Sequence, residues 1–174
     1  SDTDDGRAIA GILVELFRLR GHAPCEPVCI PDLQDADPKR FRTKGLRNLA
    51  KLLASKVREY GPTACALNCT GGYKAQVAVA VLMGQAVGVP VYYMDERFSE
   101  IIAFPPLPVA LDFEVWMQAS GMLRVLERED QPFADFAEEW TEKFESLVER
   151  VEIDGTEYLT LSATGQIFHE TFRE

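Results

Sequence analysis

The chain has 174 residues, 47% of them apolar and 26% charged, and a formal net charge of −10. That length suffices for one good core, or for a domain of about 100 residues with a small appendage. No apolar run approaches the ~18 residues of a membrane-spanning helix, the acidic opening "SDTDDGRAIAG" is unlike a signal peptide, and the negative charge argues against general nucleic-acid affinity.

In chain order, Asp4 to Arg20 places Ile9, Ile12, Leu13, Leu16 and Leu19 at helical spacing, with Gly21 as a C-cap. "PVCIP" (residues 27–31) reads as a short buried strand, followed by a polar loop. Thr43 to Tyr60 sets Leu46, Leu49, Leu52, Leu53 and Val57 on one face, an amphipathic helix stopped by Gly61-Pro62. "TACALN" (63–68) is the next strand, Tyr73 to Val87 the next helix and "VPVYYM" (89–94) the strand after it. "SEIIAF" (99–104) adds one more strand. Alternation with short connections predicts an α/β fold with a parallel sheet and right-handed crossovers. The Pro-rich "FPPLPVAL" marks a boundary, dividing the chain into residues 1–107 and 108–174. Beyond it, Leu111–Arg128 and Phe133–Val151 keep a helical period, and "VEIDGTEYLTL" alternates around Asp154-Gly155 as a hairpin. Ser162 then caps a terminal helix. Helix, helix, hairpin, helix fits a small winged-helix-like appendage.

The charge is uneven along this order. Residues 1–111 carry 13 Lys/Arg against 12 Asp/Glu, whereas residues 112–174 carry 5 against 16. Pro38 to Arg58 holds eight basic side chains and no acid. The run reads as a solvated helix face or as a field that draws a small polyanion to one side. The opening lacks Met and is turn-like, so the chain reads as a fragment or as starting inside its gene product.

The cysteines form two Cys-x3-Cys pairs, Cys25/Cys29 and Cys65/Cys69. Four residues of strand span roughly 13 Å, too far for two thiolates on one metal. They read as buried free thiols, which suit a reducing cytoplasm. His22 and His169 read as structural or solvated.

"LNCTGGYK" (67–74) lies where a strand hands over to a helix. In an open α/β sheet, ligands bind beyond the carboxyl ends of the strands. Gly71 and Gly72 allow unusual backbone angles and close approach, Thr70 adds a hydroxyl and Lys74 a mobile charge. Helix N–H groups favour an anion there, and phosphate is the natural one. Neither G-x-x-x-x-G-K-[ST] nor G-x-G-x-x-G is present, so a tight turn without ligand remains the alternative. "SDTDDGR" is a second acidic-glycine turn; if a strand precedes it, Ser1, Thr3 and Arg7 would offer donors on the same sheet edge, while Asp2, Asp4 and Asp5 read more simply as dipole partners of the helix they open. Arg97 and Phe98 are further pocket candidates, with Arg97 pairing a neighbouring acid as the alternative. Tyr92 and Tyr93 read as strand core before a stacking platform.

In order and spacing, "SDTDDGR", "RFRTKGLRNLAKLL", "LNCTGGYKA", "LMGQAVGVPVYYMDE" and "IIAFPPLP" resemble the CRISPR-associated Rossmann fold (CARF) proteins, in the branch of the APE-type ring nucleases and related ribonuclease sensors. The resemblance covers about residues 1–108; beyond it, "YLTLSATGQIFHE" is more loosely similar to the winged helix of some members. It implies a Rossmann-like sheet flanked by helices, a homodimer, and a pocket for cyclic oligoadenylate, a messenger of type III CRISPR antiviral defence. A two-fold ring such as cyclic tetra-adenylate suits an isologous dimer. Carried over, Lys74 is the catalytic candidate beside the scissile phosphate, with Asn68, Thr70, Gly71, Gly72, Tyr73, Ser1, Thr3 and Arg97 as ligand contacts. The implied reaction, attack of the ligand's own 2′-hydroxyl on the adjacent phosphorus, needs no metal or cofactor. The family's first strand and the Ser/Thr-bearing loop after it are absent from this sequence. So is the Arg/His pair, four to six residues apart, of the family's ribonucleases, so RNA cleavage through that motif is not expected. A non-catalytic sensor is the second reading. Transcription control through a winged helix is the third, and the −11 charge of residues 112–174 disfavours DNA binding.

Overall fold

The computed structural model describes residues 1–97 and 99–173, a mixed α/β fold. Helix α1 (Asp4–Leu19) is capped by Thr3, whose hydroxyl accepts from the Gly6 N–H at 3.0 Å, with Asp4 and Asp5 in its first turn. Helix α2 (Pro38–Arg40) runs through a π turn, Phe41–Gly45, into α3 (Leu46–Tyr60). Strand β1 (Leu67–Asn68) precedes α4 (Lys74–Val87), and β2 (Val91–Tyr93) precedes β3 (Ile102–Phe104). β1 pairs parallel with β2, Leu67 against Val91, and β3 closes the sheet antiparallel to β2. Helix α5 (Phe113–Leu126) leads to a second sheet of β4 (Gln131–Pro132), β5 (Val148–Ile153) and β6 (Thr156–Leu161), in the order β4-β6-β5 and antiparallel throughout. Helix α6 (Ala163–Phe172) follows, with Ser162 as its N-cap.

Four expectations need correction. Residues 27–31 join no ladder among the described strands. Pro27 and Pro31 have no N–H to contribute to one. The expected strand 63–68 shrinks to Leu67–Asn68, because Pro62–Ala64 turn as a 3-10 helix. The sheet is parallel only between β1 and β2. The expected helix 133–151 is absent: Phe133–Phe136 and Glu142–Leu147 are 3-10 turns, and Val148–Val151 belong to β5.

The physical reason for the last difference is tertiary. Phe133, Phe136, Trp140 and Phe144 recur at helical spacing, but Phe133 and Trp140 meet edge-on and both rings flank the Arg150 guanidinium, 4.5 and 5.1 Å away. Cation–π contact and six paired positions along β5 and β6 outweigh the weak helical period. Asp154 and Gly155, both at positive φ, supply the tight turn that sets the hairpin register.

α1 buries only Val14. Ile9, Ile12 and Leu19 stay more than half exposed, so its apolar stripe does not join the core as the periodicity implies. The core lies instead between α3, α4 and α6, where Leu46, Ala50, Val79 and Met83 enclose Ile167. The expected boundary at 107/108 is therefore crossed by shared packing. A second apolar cluster, including Leu123, Leu126, Leu159 and Leu161, fills the space under the β4-β6-β5 sheet.

A buried polar network joins the same elements. Arg47, 9% exposed, donates to the Leu126 and Glu127 carbonyls at 3.1 and 3.3 Å and to the Thr160 hydroxyl at 3.3 Å. Glu170, fully enclosed, pairs with Arg58 at 2.8 Å and Arg173 at 3.1 Å. His169 is 2% exposed, its Nε2 lies 3.9 Å from Glu127 and its Nδ1 has no hydrogen-bond partner among the described residues. Burial pushes the imidazole pKa below its ordinary 6.5, against the pull of Glu127. The unfolded chain therefore takes up a proton first as pH falls. His169's contribution is complete above about pH 6.5 and is lost as pH falls through the folded value. Urea midpoints should decline from pH 7 to pH 5.5, and His169→Gln should flatten that decline. Parallel slopes would detach His169 from the effect.

Candidate functional site

The loop after β1 is built by its own side chains. Asn68 Oδ1 accepts from the Thr70 N–H at 3.0 Å and from the Thr70 hydroxyl at 2.7 Å, an Asx turn that bends the chain directly past the strand. The Thr70 Oγ1 in turn accepts from the Met94 N–H at 3.2 Å, tying this loop to the residue after β2. Gly72 sits at φ +106, where a side chain is strained, and a Cβ there would collide with the Gln76 amide. That Gln76 Oε1 accepts from the Tyr73 N–H at 3.1 Å. Tyr73 is the N-cap of α4, and exposed Lys74 is its first residue.

The arrangement gives a turn at the carboxyl end of a parallel strand, an exposed helix start and a free-standing lysine. Among the described residues, Lys74 makes no ion pair within 4 Å; its sequence neighbours to either side are uncharged. An anion at this point meets backbone N–H groups and one mobile cation. Asn68, Thr70, Gly71, Gly72, Tyr73 and Lys74 are thus brought together as their spacing implies. Gln76 is the residue that sequence reading missed, and its position three past the cap was the available signal.

The other candidates lie elsewhere. Ser1 Oγ is 3.1 Å from Thr3 Oγ1, and Thr3 is spent on capping α1. Ser1 lines a cavity of about 290 Å³ with Arg7, Val28 and Cys29, whereas Asn68 and Gly71 line another of about 210 Å³ with Leu49 and Leu53. Arg7 is held by Asp2 at 3.0 Å and Asp4 at 2.7 Å, so its charge is already partnered. The Asp32 N–H, together with the Cys29 thiol and Arg7, lowers the Asp2 pKa below its ordinary 3.8. Arg97 donates from both its N–H and its Nε to Asp95 Oδ1, at 2.9 and 3.2 Å, which is the acid-pairing alternative. Phe98 lies outside the described residues. Tyr92 and Tyr93 are not core; Val91 is the buried residue of β2. All four cysteines are free, but only Cys69 is buried, and burial raises its thiol pKa.

The basic run 38–58 is largely engaged. Arg40 pairs with Asp32 at 2.7 Å, Arg42 with Glu149 at 3.0 Å, Lys51 with Glu127 at 3.5 Å and Lys56 with Glu59 at 2.8 Å, beside the buried hydrogen bonds of Arg47 and the pairing of exposed Arg58 with buried Glu170. Lys39 and Lys44, like Lys74, make no such pair among the described residues.

A family model described as CRISPR-associated protein (Cas_APE2256) matches residues 1–107, the segment that carries the glycine turn. The chain belongs to this CRISPR-associated family. No curated protein matches the chain. In this CRISPR-associated protein, the family match ends within the Pro-rich segment, and no helix among the described residues is long and apolar enough to cross a membrane.

Proposed function

We propose that this CRISPR-associated protein binds a cyclic oligoadenylate in a pocket shared by two copies and opens the ring as a metal-independent nuclease. The observation that carries the reading is the Thr70–Lys74 turn, at the carboxyl end of β1 in a CRISPR-associated family. Residues 1–107 act as a Rossmann-like (CARF) ligand unit, and residues 108–174 as a winged-helix-like appendage with a structural or dimer-forming role. Two copies related by a two-fold axis offer the same turn to each half of the ring, which favours cyclic tetra-adenylate.

The chemistry asks little of the protein. The ligand's 2′-hydroxyl attacks the adjacent phosphorus, the 5′-oxygen leaves, and a 2′,3′-cyclic phosphate end remains. Holding ribose and phosphate in line supplies much of the acceleration. Lys74 supplies charge stabilisation as negative charge builds on the phosphate oxygens. Purified protein incubated with cyclic tetra-adenylate in EDTA should yield linear product ending in the cyclic phosphate, resolved by chromatography.

A second reading, a sensor that holds the ring and changes a partner, is favoured by one observation. Arg47 of α3 grips the end of α5 and β6 through buried hydrogen bonds, a direct physical link from the ligand unit to the appendage. Tight binding without turnover selects the sensor and removes the enzyme. DNA binding through the appendage is disfavoured by its acidity.

A further inference from the structure

The glycine turn has an aromatic neighbour that only the fold brings to it. Phe41, the first residue of the π turn, meets Tyr73 edge-on, with ring centroids 5.3 Å apart and planes at 78°. With Pro38 and Asp35, these rings wall an open cavity of about 130 Å³, the scale of one planar heterocycle. Tyr73 belongs to both places: its ring walls the cavity, and its backbone caps α4 between Gly72 and Lys74.

Lys39 and Lys44 flank Phe41 in sequence and, like Lys74, are without an ion pair among the described residues. A ring face on Tyr73, one residue before Lys74, suits a base attached to phosphate, since every base has a face to stack and every phosphate a charge to neutralise. Asp35 is the acid of the cavity. It lines the cavity with Tyr73, whose phenol pKa is pushed up by burial and then by the Asp35 carboxylate. An ionised carboxylate only accepts hydrogen bonds. A base edge that presents an amino group is therefore welcome, and a carbonyl in the same position faces like charge.

We infer that the slot formed by Asp35, Pro38, Phe41 and Tyr73 takes one amino-bearing nucleobase of the ligand, with Asp35 determining which base is accepted. The inference rests on the proposed function above. The base packs against Phe41 and Tyr73, its amino group donates to Asp35, and its phosphate points towards Lys74.

The test is a binding titration of the full chain with cyclic tetra-adenylate and with its inosine counterpart, in which each 6-amino group is replaced by a carbonyl. Wild-type protein should prefer the adenylate ring by about tenfold or more. Asp35→Asn, whose amide can donate as well as accept, should narrow or reverse that preference. Phe41→Leu keeps an apolar side chain against the core and should weaken both rings roughly tenfold through lost stacking, with a cooperative thermal transition retained. An unchanged base preference in Asp35→Asn, or wild-type affinity in Phe41→Leu, overturns the slot and leaves the proposed function standing. Failure of the wild-type protein to bind either ring overturns both.

Discussion

Lys74→Ala should lower the rate of ring opening by about 10²–10³ while leaving the thermal midpoint within about 2 °C of wild type. The rate loss follows from removing a cation aimed at charge that develops only in the transition state. The unchanged midpoint follows from position. Lys74 is exposed at the first residue of α4 and makes no ion pair among the described residues, so its side chain supports no packing. Exposed substitutions of this kind stay within about 0.5 kcal/mol. Lys74→Arg should recover part of the rate, because it keeps the charge and changes its reach. Single-turnover chromatography separates the rate from binding. A variant that cleaves at the wild-type rate removes Lys74 from the chemistry.

Arg47→Ala should destabilise the whole chain by about 3 kcal/mol, read as a fall of roughly 6–12 °C in thermal midpoint. The guanidinium is buried between α3 and the end of α5, and it is the partner of the Leu126 and Glu127 carbonyls. Removing it takes the donor from the Leu126 carbonyl and leaves the Glu127 carbonyl with Lys51 Nζ alone, at 3.4 Å, in a place water reaches poorly. That carboxyl sits below its ordinary value of 4.5: burial raises it, but the charges of Lys51 and Arg173 outweigh burial. Arg47→Lys should recover only part of the loss, since an ammonium lacks the planar fork that spans two carbonyls and a hydroxyl. Differential scanning fluorimetry across the three proteins decides it, and a loss under 1 kcal/mol for alanine would show that the junction holds without Arg47.

How much of this was legible beforehand differs between the glycine turn and its surroundings. The turn is local. Asn68 pairs with Thr70 and Tyr73 with Gln76, all within nine residues, so residue type and spacing carry most of the information. The hairpin at Asp154-Gly155 and the Ser162 cap are legible for the same reason. The Phe41–Tyr73 contact joins residues 32 positions apart through a π turn that no periodicity announces. Arg97 shows the opposite failure: a residue of the right type near the right strand is held by Asp95, two positions away.

The stretch 133–151 shows the same limit in secondary structure. Its apolar spacing is helical, yet Arg150 between Phe133 and Trp140, and the pairing of β5 with β6, draw the chain into turns and strand. Helical propensity is worth tenths of a kcal/mol per residue, and tertiary contacts exceed it easily. The Pro-rich boundary at 105–108 is real in composition, but Ile167 and Arg47 carry packing and hydrogen bonding across it.

By itself, the sequence determined the helix faces of α3 and α4, the caps, the tight turns and the anion-suited geometry at Thr70–Lys74, because these depend on backbone sterics and neighbours a few residues away. The tertiary structure decided which cations remain free, which side chains surround the turn and how the last 67 residues dock on the rest. Those outcomes depend on contacts between residues distant in the chain, where burial and charge pairing, summed over many partners, outweigh any local preference.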